Sequence, residues 1–201
     1  MKRGETVSKA QLDAATLDVQ GELTQVGLWG ESSRLHACRV HWCMLPQVVS
    51  RVMWDAFGFF THNRIGPEWL GYEAGHIYIP QWVLTQVLGG QNRGSLRDVI
   101  RHEYGHAVAH YYPSLIRRSS RFTQTFGSRY DEASHRVPLG PEEAISAYAQ
   151  TNPAEDFAET FMLYLKHGTR RPAKFKSVAI QRRWQFVADL TERIAAGAAR
   201  W

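Results

Sequence analysis

Cysteine is almost missing from this chain: Cys38 and Cys43 are the only two in 201 residues. That excludes a disulfide framework and fits a reducing compartment. No apolar run approaches the roughly 20 residues that a membrane-spanning helix needs, so no membrane segment is expected. The opening Met1-Lys2-Arg3-Gly4-Glu5-Thr6 turns polar where a secretory signal would turn apolar. A cytoplasmic location is therefore expected. Internal repeats and low-complexity tracts are also missing, which excludes solenoid and fibrous architectures.

What is present fits an ordinary globular domain, with 44% hydrophobic and 21% charged residues. The formal net charge of +5 comes largely from arginine, dense at Arg117, Arg118 and Arg121 and again from Lys166 to Arg183. Such runs suit a nucleic-acid partner, but solvated helix faces are the reading preferred for them.

Residues 1–30 carry scattered apolar positions without a firm period, and they are read as an N-terminal extension of uncertain structure before a domain spanning 31–201. Leu35 to Cys43 looks strand-like. Pro46 then opens a predicted helix with Val48, Val49, Val52, Met53, Ala56 and Phe57 on one stripe. Asn63 to Gly75 reads as a loop or hairpin, and Gly75 to Ile79 as a short strand stopped by Pro80, which suggests a sheet edge. After the break at 89–94, Ser95 with Asp98 three residues on predicts a capped helix from about Leu96 to Tyr112. Arg117 to Pro141 is expected to be irregular or only partly helical. Asn152-Pro153 starts a further helix running through Leu165 to Gly168, and Phe175 to Ile194 carries the stripe of a C-terminal one.

The chemistry concentrates in Arg101-His102-Glu103-Tyr104-Gly105-His106. Histidines at i and i+4 on a helix share a face and can close on one Zn²⁺. Glu103, beside them, has the position of a general base for a metal-activated water. A catalytic zinc needs a third protein ligand and one open position. His110 lies on the same face, but three histidines at this spacing span ~12 Å of helix axis, too far to share an ion. A metzincin arrangement also fails, because the required His and Gly positions hold Tyr112 and Ala109. The Asn152 helix is the better source, with Glu155 preferred as third ligand. Glu155 and Glu159 are i, i+4 neighbours, so one can bind metal while the other accepts a ring N–H. Asp156 is read as complementing the helix dipole.

HEYGH followed by Tyr148-Ala149-Gln150-Thr151-Asn152-Pro153-Ala154-Glu155-Asp156-Phe157-Ala158-Glu159-Thr160-Phe161 resembles the gluzincin-type zinc metallopeptidases related to the catalytic domain of anthrax toxin lethal factor. It is also similar to bacterial zinc-binding metallopeptidases. Their pattern is close to Y-x-x-T-N-x-x-E-x-F-A-E-x-F, and the likeness covers Arg101 to Leu165, about a third of the chain. The resemblance implies Glu155 as third ligand, Tyr148 as a hydroxyl donor near the substrate oxyanion and Glu159 as a partner of a ligand histidine.

Taken together, these features lead to an expected α+β, zincin-like fold with a small twisted sheet, an HExxH helix and C-terminal helices. The expected function is that of a zinc-dependent endopeptidase acting on protein or peptide. The alternatives are a DNA-associated metalloprotease and a non-enzymatic domain with a structural zinc. Ile77, Tyr78 and Ile79 are weaker candidates for pairing with extended substrate, and core packing suits them equally well. His36, Cys38, His41 and Cys43 match no usual zinc-knuckle spacing, so the cysteines are expected to act as small apolar side chains.

Overall fold

The computed structural model describes residues 8–30, 33–43, 59–61, 75–80 and 95–201. The helix predicted after Pro46, the loop at 63–74 and the break at 89–94 lie outside these residues.

Three short strands make one sheet: β1 (Arg39–Cys43), β2 (Phe59–Thr61) and β3 (His76–Pro80). β3 is in the middle, parallel to β1 with Arg39 opposite His76, and antiparallel to β2 with Phe59 opposite Tyr78. This corrects the expected edge position. Pro80 ends the strand, but β1 and β2 take both of its sides, so His76 to Tyr78 offer no free edge to a substrate chain. Ile77 and Ile79 are wholly buried in the core.

Residues 1–30, which carry no firm apolar period in the sequence, contain a helix, α1 (Lys9–Gln25). Ser8 and Gln11 form a reciprocal capping box at its start. Its buried positions Leu12, Ala15, Val19 and Leu23 recur at helical spacing, and the three larger ones contribute roughly 2 kcal/mol each on burial. Gly27 closes the helix at φ 74, with Leu28 N–H returning to Leu23 C=O at 2.8 Å. A Cβ at Gly27 would lie 2.5 Å from that of Ala195, so the turn needs glycine for space as well as for backbone conformation.

Four more helices follow: α2 (Leu96–Tyr111), α3 (Ser120–Phe126), α4 (Pro153–Lys166) and α5 (Val178–Ala195). The predicted starts of α2 and α4 are the observed ones, while α5 begins at Val178, three residues after the expected stripe opens at Phe175. Ser95 and Asp98 form a capping box, and Asn152 accepts the Glu155 N–H with Pro153 in the first turn. α3 supplies the partial helicity expected between Arg117 and Pro141.

α1 lies on α2 through a charged junction in which Arg101 holds Glu22 through two contacts of 2.7 and 2.5 Å and Asp98 at 2.6 Å. Lys166 of α4 reaches the same Asp98 at 2.8 Å. Behind α4, Phe122, Phe126, Phe157 and Phe186 pack edge to face or stacked, tying α3, α4 and α5 together. The fold is thus mixed, helices around a small sheet, in keeping with α+β. Among the described residues no helix is long and apolar enough to cross a membrane.

Candidate metal centre

The approach of α4 to α2 begins at Gly105. A Cβ there would meet the Ala158 Cα at 3.1 Å and the Phe161 ring at 3.4 Å. The glycine inside HEYGH therefore serves close packing: without a side chain, the two helix backbones come near enough for short side chains to meet across them.

His102 and His106 meet Glu155 at this crossing. His102 Nε2 lies 3.0 Å from Glu155 Oε2 and 3.2 Å from His106 Nε2, and the third edge, His106 Nε2 to Glu155 Oε2, is 3.5 Å. Tetrahedral zinc with bonds of about 2.0–2.1 Å requires ligand atoms about 3.3 Å apart. The triangle fits that requirement, and two imidazole nitrogens with one carboxylate oxygen are a donor set that zinc takes. Among the described residues this is the group of three or more His, Cys, Asp or Glu able to hold a metal ion.

The electrostatics favour a cation. Burial lowers the His102 pKa, but hydrogen bonds with Glu155 and Glu159 and the Glu103 charge outweigh it and carry it to about 10. Burial likewise pushes Glu155 up, yet contacts with His102 and His106 hold its carboxyl well below the usual range. Glu159 Oε1 lies 3.0 Å from His102 Nδ1, the ring nitrogen facing away from the triangle.

Glu103 is only 4% exposed. Burial raises its pKa, with His102 and His106 opposing and Glu155 adding to the rise. The backbone of Phe60 in β2 hydrogen-bonds this carboxylate, while Oε2 is buried without a partner. The sheet thus orients one side of the carboxylate and leaves an acceptor oxygen on the other.

Tyr148 opens a short helical turn, Tyr148–Gln150, that leads into α4. Its ring centroid is 5.8 Å from that of His102, and the residue is 50% exposed. Burial of the hydroxyl, with the charges of Glu155, Glu103 and Glu159, keeps the phenol protonated far above neutrality.

Two contacts at the site have no sequence precursor. Tyr130 places its hydroxyl 2.9 Å from His106 Nδ1. His135 Nε2 lies 3.0 Å from the Ala149 carbonyl, anchoring the Tyr148 turn. Both come from the polar stretch after α3, where a lone Tyr and a lone His carry no diagnostic spacing.

Asp156 sits in the first turn of α4, the position expected of an acid that complements the helix dipole. It is also fully buried and faces Arg183 of α5 at 2.9 Å, an ion pair inside the core that adds to its place at the helix start. Burial, opposed by Arg183 and reinforced by Glu159, pushes its carboxyl to about 7. Within the His36 to Cys43 stretch, His36 packs against Trp29 with ring centroids 4.6 Å apart. Cys38 is a buried free thiol, pushed up to about 12 by burial and then by Glu103. His110 packs against Phe60 and is not part of the triangle.

Residues 86–180 match the model of a family described as "Putative zinc-binding metallo-peptidase". Neither the curated proteins nor the solved structures supply a match. The matched stretch contains α2, α3, α4 and the Tyr148 turn, and it supports a zinc-binding metallopeptidase. Zinc is the cofactor indicated by the family match and the donor set together.

Proposed function

We propose that this chain is a zinc-dependent endopeptidase of zincin-like, gluzincin type, with residues 31–201 forming the catalytic domain and α1 buttressing the back of α2. The observation that carries the reading is the triangle of His102, His106 and Glu155, whose edges of 3.0 to 3.5 Å suit one tetrahedral cation. His102, His106 and Glu155 are the residues that would hold zinc. When bound, zinc supplies a Lewis acid that makes water a nucleophile near neutral pH and polarises a peptide carbonyl.

The chain's own groups do the rest. Glu103 takes the proton from the attacking water through its unpartnered oxygen and passes it to the leaving amine; burial has made it a stronger base for that step. Tyr148, protonated and half exposed beside His102, donates a hydrogen bond to the substrate oxygen as negative charge grows there. Glu159 turns the His102 ring and fixes which nitrogen faces the triangle.

A structural zinc would call for a fourth protein ligand, whereas the group among the described residues has three. Part of the basic surface is neutralised by internal ion pairs, which lessens what it offers a nucleic acid. Arg117 pairs with Asp131 at 2.7 Å, and Arg121 with Asp189.

The test is Glu103→Gln. The variant should keep one zinc per chain and lose peptide hydrolysis by at least about 100-fold, within the range for a general base. A fully active Glu103→Gln protein would refute the assignment.

A further inference from the structure

His102 and His106 receive different outer partners. His102 Nδ1 faces the carboxylate of Glu159, whereas His106 Nδ1 faces the hydroxyl of Tyr130 at 2.9 Å. A neutral imidazole carries one N–H, so a ring that binds metal through Nε2 must hold its hydrogen on Nδ1 and needs an acceptor there. A phenol that instead donated to Nδ1 would leave the hydrogen on Nε2, pointing into the triangle and blocking ligation.

Tyr130 is held for this contact from several sides. Its ring packs edge to face against Phe122 and Phe157, at centroid distances of 5.6 and 6.2 Å. The Arg117 guanidinium sits over it at 5.9 Å and is itself tied to Asp131. Ser128, wholly buried, takes the Arg136 N–H at 2.8 Å and folds the segment back on itself. A phenylalanine would fill the same aromatic pocket, so packing alone does not account for the hydroxyl.

We infer that Tyr130 is a positioning residue of the metal centre: its hydroxyl oxygen accepts the Nδ1–H of His106 and selects the tautomer that presents Nε2 to zinc. This rests on the metallopeptidase reading of the same site. The two ligand histidines are then oriented with unequal strength, His102 by a charged acceptor and His106 by a neutral one.

The experiment compares wild type with Tyr130→Phe, which keeps the ring and removes the oxygen. Zinc affinity is measured by competition with a chelating dye, and thermal unfolding by circular dichroism of the chelator-treated proteins. Tyr130→Phe is expected to bind zinc about 10-fold more weakly, the lower end for loss of an outer hydrogen-bond partner, with its chelator-treated unfolding midpoint unchanged. Ring-nitrogen NMR of zinc-loaded wild type provides a readout independent of any variant. It should show His106 ligated through Nε2 with a slowly exchanging Nδ1–H. Equal affinity in the two proteins, or ligation through Nδ1, overturns the inference alone. A wild-type chain that takes up no zinc overturns the metal-centre reading and the inference with it.

Discussion

Glu159 Oε1 lies 3.0 Å from His102 Nδ1, while the other nitrogen of that ring lies 3.0 Å from Glu155 Oε2. One imidazole is thus gripped on both sides by carboxylates one turn apart on α4, so a single helix sets both the ligand and the orientation of its neighbour. Glu159→Ala should weaken zinc binding about 10- to 100-fold, and Glu159→Gln, which keeps an acceptor oxygen without the charge, should fall between it and wild type. Competition with a chelating dye measures both. An unchanged affinity for the alanine variant would show that Glu159 does not orient the His102 ring.

Gly105 makes a different prediction, because its function is distance. Gly105→Ala improves intrinsic helix propensity by roughly 0.5–1 kcal/mol, yet its methyl would press on the Ala158 Cα at 3.1 Å. The helices must part by a few tenths of an ångström, and the triangle opens with them. The expected outcome is near-normal thermal stability with zinc affinity lowered several-fold. Affinity equal to wild type would show that the crossing tolerates the methyl.

Asp98 gives a pH-dependent test away from the site. Burial pushes its carboxyl upward, but hydrogen bonds with Lys166 and the Ser95 backbone, with the charges of Lys166 and Arg101, hold it below its ordinary value. A carboxyl depressed in the folded state stabilises fully above its unfolded pKa, and this contribution fades as the pH falls through the folded value. Asp98→Asn should therefore cost about 2 kcal/mol near neutrality. The gap to wild type should close as the pH drops below about 4. Urea unfolding midpoints across that range measure it, and a pH-independent gap would contradict the assignment.

The parts of the site readable from sequence are those coded by local spacing. His102, Glu103 and His106 sit within one helical turn and a half, and the caps at Ser95 and Asn152 announce both helices that carry the ligands. Glu155 and Glu159 follow from the second cap. Contacts made across the fold left no such trace. Asp156 reads as a first-turn acid and is one, but its partner Arg183 lies on another helix and leaves no mark on that spacing. Tyr130 reaches His106 from a polar loop without periodicity. β3 was expected at an edge because Pro80 ends it, but its central place depends on pairing with strands distant in the chain. α1 went unassigned because the residues around its buried stripe blur the period, Leu17 being 68% exposed.

The proposed chemistry depends on two imidazoles and one carboxylate of this chain holding zinc. Zinc-edge X-ray absorption on the loaded protein, with the metal content measured on the same sample, tests it most directly. The expected result is one zinc per chain, with nitrogen and oxygen neighbours at about 2.0 Å, outer scattering from two imidazoles and no sulfur. Failure to take up zinc, or a sulfur shell at about 2.3 Å from cysteine ligation, would contradict it.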